Sequence, residues 1–275
     1  FVTEIEIPVR NNILSLGSID FDGDGSEELY LTAADETKLS SFVVEKNSDD
    51  YSITQSNIGW YLRVVEDAQG KKMLVGQEQD HGQNSFSGRA FLVKNGGAQL
   101  EKGEALKVPD LMNIFSFIPL TSNGETIYAF LSESEYLQLI DESGDTLWES
   151  AEYFGGSESC YKNRAEHDGD LVIQTCLGPR LAKTSKSEIL VVQNEAQRFL
   201  KQLRTYSPSR LVAFAWDGNS MQESWITPSQ KGYLADYAIG DADNDGTEEI
   251  VTLVKLRQSG LFEKDRTAII SYSLQ

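Results

Sequence analysis

Apolar and polar residues alternate along most of this chain, and the alternation restarts after each short polar turn. Near the C-terminal end, YAIGD (237–241) leads into an acidic loop, then EEIVTLVKL (248–256), then the alternating TAIISYSL (267–274). Residues 14–56 follow the same order: LSLGSID, an acidic loop, EELYLTAA, SSFVVEK and DYSITQS. A period of two over short runs, broken by turn residues, predicts half-buried antiparallel strands. Helical periodicity is confined to one short candidate, NEAQRFLKQL at 194–203.

Weaker copies fill the middle. WYLRVVEDAQGKKMLVGQEQ (60–79) is followed by GRAFLVKNGG and AQLEKGEALKVP; IFSFIPLTSNGETIYAFLSE (114–133) by YLQLIDESGDTLWES; RLAKTSKSEILVVQNE (180–195) by RLVAFAWDGNSMQESWIT. The chain therefore divides into five units at about 10–58, 59–112, 113–154, 179–234 and 235–275. Self-similarity at a period of roughly 45–60 residues indicates a repeat architecture. Four strands per unit make one propeller blade, and a blade that cannot bury both faces alone must stack on its neighbours.

The expected fold is thus all-β: a single β-propeller over 1–275 with five four-stranded blades. The last unit shows three strands. The alternating VTEIEIPV (2–9) is expected to close the ring, residues 1–9 pairing with TAIISYSL and removing two exposed sheet edges. A β-sandwich or two small β domains is the alternative, weakened because no Pro/Gly/Ser-rich linker divides the chain. Residues 155–178 fit no blade and read as an insertion; a sixth blade is the alternative if they carry further strands.

Charge narrows the partners. The 275 residues carry a formal net charge of −19. That excludes the basic surface that phosphate backbones require, so no nucleic acid is expected, and it disfavours anionic lipid. No apolar run reaches the length of a membrane span, and no secretory leader is visible. A chain beginning at Phe1 is expected to be a processed form or a fragment. The two cysteines, Cys160 and Cys176, bracket the insertion and are expected to form a disulfide contributing roughly 3 kcal/mol. Two buried thiols are the alternative. Disulfides and calcium loops both belong outside the cytosol, so a secreted, periplasmic or cell-surface location is expected.

The acidic loops carry the clearest chemistry. Both have the form D-x-D-x-D-G-x-x-E: Asp20, Asp22, Asp24, Gly25 and Glu28 in the first, Asp241, Asp243, Asp245, Gly246 and Glu249 in the second. Acids at alternate positions of a tight loop turn toward one centre, and Gly permits the sharp turn. Ser26 and Thr247 can add a backbone carbonyl. Hard oxygen donors without His or Cys suit Ca²⁺ rather than zinc. An EF-hand needs an acid at loop position 12, where Leu31 and Thr252 stand, and helices where these loops enter strands. Two calcium sites are expected, with affinities roughly in the 10⁻⁴–10⁻³ M range of extracellular modules or somewhat tighter. Solvated turns without an ion are the alternative. The equivalent turns of the middle units, EDAQGKK, LTSNGET and RLAKTSKSE, lack the ligands, so metal is expected only in the two blades flanking the ring closure, pinning their turns.

These loops and the strands behind them resemble the FG-GAP/VCBS-type repeats of bacterial secreted and surface proteins and of integrin α-chain propellers. WYLRVVED…MLVGQ, LWESAEYFGGSE, RLVAFAWDG and KGYLADYAIGDADNDGTEEIVTLV resemble the C-terminal propeller of bacterial VCBS-repeat proteins, from about residue 12 onward. The resemblance implies an exported calcium-bearing propeller serving adhesion, assembly or ligand display. The middle loops depart from the family pattern, and the cysteine-bracketed insertion is not a family feature.

Catalytic constellations are poor. His81 and His167 lack a nucleophile context, and acid pairs such as Glu133/Glu135 and Glu101/Glu104 are expected by coincidence among 43 acids. Trp60, Trp148, Trp216 and Trp225 lie in or beside strands, which favours packing between blades over stacking on sugar. EYFGGSES (152–159) couples Tyr153 and Phe154 to a Gly-Gly turn and reads either as an interaction loop or as a connector. The reading that results is a non-enzymatic calcium-binding propeller engaging a protein partner in an extracellular or cell-envelope assembly. Its alternatives are a lectin-like module holding a glycan, or a polysaccharide lyase or hydrolase.

Overall fold

A computed structural model describes residues 11–35, 38–47, 50–79, 86, 88–97, 99–108, 112–164, 172–196, 206–256 and 266–274. They form five antiparallel sheets in chain order, the blades of a β-propeller. Blade 1 contains β1 (Asn11–Ile19), β2 (Glu28–Asp35), the short β3 (Lys38–Leu39), β4 (Ser41–Asn47) and β5 (Asp50–Ile58), in the order β1-β2-β4-β5 with β3 also on β2. Blade 2 is β6 (Trp60–Glu66), β7 (Lys72–Glu78), β8 (Ala90–Asn95) and β9 (Leu100–Ala105). Blade 3 is β10 (Phe117–Ser122), β11 (Glu125–Leu131), β12 (Tyr136–Asp141) and β13 (Thr146–Tyr153).

A two-stranded hairpin follows, β14 (Cys160–Arg164) and β15 (Val172–Cys176), and it pairs with no blade strand. The insertion thus adds a separate element rather than a sixth blade. Blade 4 is β16 (Ala182–Lys183), β17 (Ile189–Ala196), β18 (Tyr206–Trp216) and β19 (Met221–Ile226). Blade 5 is β20 (Gly232–Gly240), β21 (Glu249–Leu256) and β22 (Arg266–Ser273). The strand expected to complete it, residues 1–9, lies outside the described residues. The helix expected at 194–203 is contradicted at its start: residues 194–196 are the end of β17, held by pairing of Ala196 with Tyr206, and 197–203 lie outside the described residues.

Burial follows position within the blade. An inner strand with a neighbouring blade on each face is buried on both, as in β17, whose first six residues, the apolar Ile189–Val192 and then Gln193 and Asn194, are all buried. An outer strand has one wetted face, and β5 and β22 alternate accordingly. Ile19, Tyr30 and Val43 of blade 1 pack on Leu62, Leu74 and Phe91 of blade 2. Leu190, Val192 and Leu211 of blade 4 pack on Leu234, Tyr237 and Ile250 of blade 5. Each such aliphatic or aromatic side chain contributes about 1.5–3 kcal/mol by leaving water. Buried polar groups register the blades: Leu62 N–H donates to Thr32 Oγ1, and that hydroxyl lies within hydrogen-bond distance of Leu62 O, both at 2.8 Å.

The first strand of every blade (β1, β6, β10, β16 and β20) contributes to the wall of one cavity of about 860 Å³ on the ring axis. Antiparallel pairing places the loops after these strands, including both acidic loops, at one end of the axis. The connections between blades, including the insertion, lie at the other end.

The insertion is fastened to blades 1, 2, 4 and 5, and Pro179, the residue after it, to the turn that precedes blade 3. Ser159 Oγ donates to Leu14 O of blade 1 at 3.1 Å, and the Tyr161 and Tyr61 hydroxyls are 2.6 Å apart, joining it to blade 2. Ser116 Oγ, just before β10 of blade 3, donates to Pro179 O at 2.9 Å. Gly155 N–H donates to Val192 O of blade 4 at 2.6 Å. Glu158 N–H donates to the Tyr233 hydroxyl of blade 5 at 2.9 Å. Asn194 unites three of these parts: its Nδ2 donates to Gly156 O and Leu234 O, and its Oδ1 accepts from Leu234 N–H. Gly156 has φ +81°, and a Cβ there would come within 2.7 Å of the Tyr206 ring, so the turn needs glycine for both conformation and space.

The expected disulfide is present. Cys160 and Cys176 face one another across β14 and β15, 16 residues apart in sequence. Replacing both cysteines with serine is expected to lower stability by about 3 kcal/mol, from the released loop entropy. Denaturant unfolding of the oxidised protein and the double variant measures this.

Candidate metal loops and the axial cavity

The two acidic loops share most of their hydrogen bonds and differ in one acceptance by the first aspartate. Asp20 accepts from Gly23 N–H at 2.9 Å and Gly25 N–H at 3.1 Å; Asp241 accepts from Asp245 N–H and Gly246 N–H, both at 3.0 Å. Asp24 and Asp245 each accept from the N–H two residues on, Ser26 and Thr247, both at 2.7 Å. Gly25 and Gly246 have φ +90° and +88°. A second left-handed position, Gly23 in one loop and Asn244 in the other, is tolerated by Gly and Asn and coils the backbone around the first aspartate.

The ninth-position glutamates turn back under their loops. Glu28 is 5% exposed and accepts from Phe21 N–H; Glu249 is 6% exposed and accepts from Ala242 N–H, both at 2.8 Å. Carboxylate oxygens of Asp20, Asp22, Asp24 and Glu28 lie within 4.8 Å of one another, as do those of Asp241, Asp243 and Glu249. Asp245 lies outside the second set. Burial pushes the Glu28 carboxyl up, and Asp22 and Asp20 add to the shift. These charges converge without a basic partner, and the donor set is oxygen throughout, which fits a hard divalent cation.

Among the other candidates, Tyr153 is 53% exposed and its ring lies 4.6 Å from that of Tyr136. Phe154 is 5% exposed and packs edge-on against Phe214 at 5.4 Å, so of this pair Tyr153 alone faces solvent. The tryptophans are engaged in packing and hydrogen bonds. Trp60 meets Phe91 edge-on at 5.2 Å, and Trp148 lies 6.1 Å from Phe214 of the next blade. Trp216 Nε1 donates to Ser122 at 3.0 Å and Trp225 Nε1 to Glu188 at 3.2 Å. His81 and His167 lie outside the described residues.

The axial cavity brings together residues that no motif marked. Arg63, in the middle of β6, is 9% exposed. Its Nη1 donates to the carbonyls of Ile114 and Phe117, the latter at 2.9 Å, and Nη2 donates to Leu181 O at 3.1 Å. One side chain of blade 2 thus reaches the starts of blades 3 and 4. Burial, and then the neighbouring Arg180, push the guanidinium down to about 9, so it remains charged at neutral pH. Arg180 holds Asp236 side-on, Nε to Oδ1 at 2.8 Å and Nη2 to Oδ2 at 2.9 Å. The signal that could have found Arg63 is a cation at an inward position of an otherwise apolar strand, WYLRVVE.

No family model and no curated protein matches this chain. Among solved structures, a mutant levansucrase of B. megaterium is similar with a TM-score of 0.37 and 10% sequence identity, over 90% of this chain and 78% of that chain. A likeness at that level carries no argument about activity.

No heavy atom comes within 4 Å of a Cβ built at Gly25 or Gly246, so substitution there tests backbone conformation alone. Gly25→Ala and Gly246→Ala are each expected to destabilise the metal-free protein by about 1–2 kcal/mol. Denaturant midpoints measured in chelator provide the check.

Proposed function

We propose that this protein is a calcium-binding β-propeller of FG-GAP/VCBS type that presents its open loop face to a protein partner in an extracellular or cell-envelope assembly. The observation that carries the reading is the congruence of the two loops. Each turns two or three aspartates and one buried glutamate onto a single centre, after the first strand of the first blade and of the last. Asp20, Asp22, Asp24 and Glu28 would hold one ion; Asp241, Asp243 and Glu249 the other, with Asp245, Ser26 and Thr247 as further oxygen donors. The ion supplies charge neutralisation. The chain's own part is to hold the carboxylates convergent through the N–H groups of residues 21, 25, 242 and 246.

The disulfide supports a location outside the cytosol: secreted, periplasmic or at the cell surface. No helix among the described residues is long and apolar enough to cross a membrane.

Calorimetric titration is expected to show two calcium sites. Asp20→Asn and Asp241→Asn should each abolish one. At calcium about a hundredfold above the dissociation constant, each site should add about 2.7 kcal/mol to stability, and chelator should remove it. A titration without heat and an unchanged unfolding midpoint would refute the metal reading. Gel filtration with mass spectrometry from the native source, in calcium and in chelator, tests the partner separately. A discrete protein retained in calcium is expected, and a monomer in both conditions would overturn that part.

A further inference from the structure

The axial cavity is a pocket rather than a pore. Ser157, Ser159 and Leu177 of the insertion line it at one end, where the segment crosses from blade 4 to Leu14 of blade 1 and Tyr233 of blade 5. The other end opens among the loops after the first strands.

Charge is tiered along its axis. Toward the closed end lie Arg63 and Arg180 with Asp236 as the carboxylate whose field reaches Arg63, leaving one positive charge in excess. Two of the five guanidinium N–H donors of Arg63 remain after its three carbonyl bonds. At the open end Glu66, Asp67 and Glu248 line the mouth. The Lys72 ammonium, also there, is held by Glu27 at 2.8 Å. Lys183 stands on the wall between the tiers. Between them the wall mixes serine hydroxyls with aliphatic side chains, among them Leu16, which is 50% exposed, Ile118 and Ile239.

We propose that this cavity binds a linear zwitterion, a short peptide with free termini, its carboxylate toward Arg63 and Arg180 and its ammonium among the carboxylates at the mouth. A simple anion would have to pass three carboxylates in a molecule of net charge −19, and a simple cation would leave the floor uncompensated. A ligand carrying both charges meets both tiers. The cavity of about 860 Å³ accommodates a tripeptide, and its mixed wall suits small side chains and a polar backbone.

The test is calorimetric titration of the full chain, in calcium, with trialanine, N-acetyl-trialanine and trialanine amide. Trialanine is expected to bind, and each blocked form about tenfold or more weaker, because each leaves one tier unpaired. Glu66 and Glu248 are exposed, so a Glu66→Gln, Glu248→Gln variant should fold normally. It should weaken trialanine while leaving N-acetyl-trialanine unchanged. No binding of trialanine, equal binding of either blocked form, or an unaltered affinity in the variant would each overturn the proposal.

Discussion

A strand that is apolar on both faces cannot end at water, and that constraint organises this molecule. Such strands lie near the middle of the sheets, exemplified by Ile189–Val192 of β17, so each must be covered by a neighbour on both sides. A row of sheets would leave two ends wet. A ring removes both, and it forces the first strand of every blade onto a common axis. The cavity and the two loop faces are geometric consequences of that arrangement.

Ring closure leaves an axial hole, and the insertion occupies one end of it. Its turn needs two consecutive left-handed glycines, Gly155 and Gly156, and its hairpin is held by the Cys160–Cys176 bridge. Bonds from Ser159, Tyr161, Glu158 and Asn194 tie the same segment to blades 1, 2, 5 and 4. Arg63 performs a related task from within, its guanidinium joining three blades through main-chain carbonyls. A buried cation satisfied by carbonyls rather than by a carboxylate is costly to desolvate. It persists here because the starts of blades 3 and 4 direct their carbonyls at it.

Much of the architecture was legible in the residue pattern. Alternation with period two marked the strands, and the order of four strands and a turn marked the blades. The acidic loops were legible because alternate aspartates before a glycine dictate a local conformation with little help from elsewhere. Glu28 and Glu249 were legible as loop members but not as buried ones: their burial depends on strands packed beneath them. The residue pattern left Tyr153 and Phe154 open between an interaction loop and a connector; Phe154 is core because Phe214, sixty residues away, covers it. The helical pattern at 194–203 yielded at its start to the ladder between β17 and β18, a case of tertiary pairing overriding local periodicity.

The sequence by itself determined what short-range physics controls: strand periodicity, turns that require left-handed residues, and the clustering of carboxylates within a nine-residue loop. Only the tertiary structure decided which face of the ring is closed, and how charge is tiered along the axis. Those features rest on bonds such as Arg63 to Leu181 and Ser159 to Leu14, between residues 118 and 145 positions apart. No local pattern encodes such a pairing, since it forms only once blade packing has brought the distant segments together.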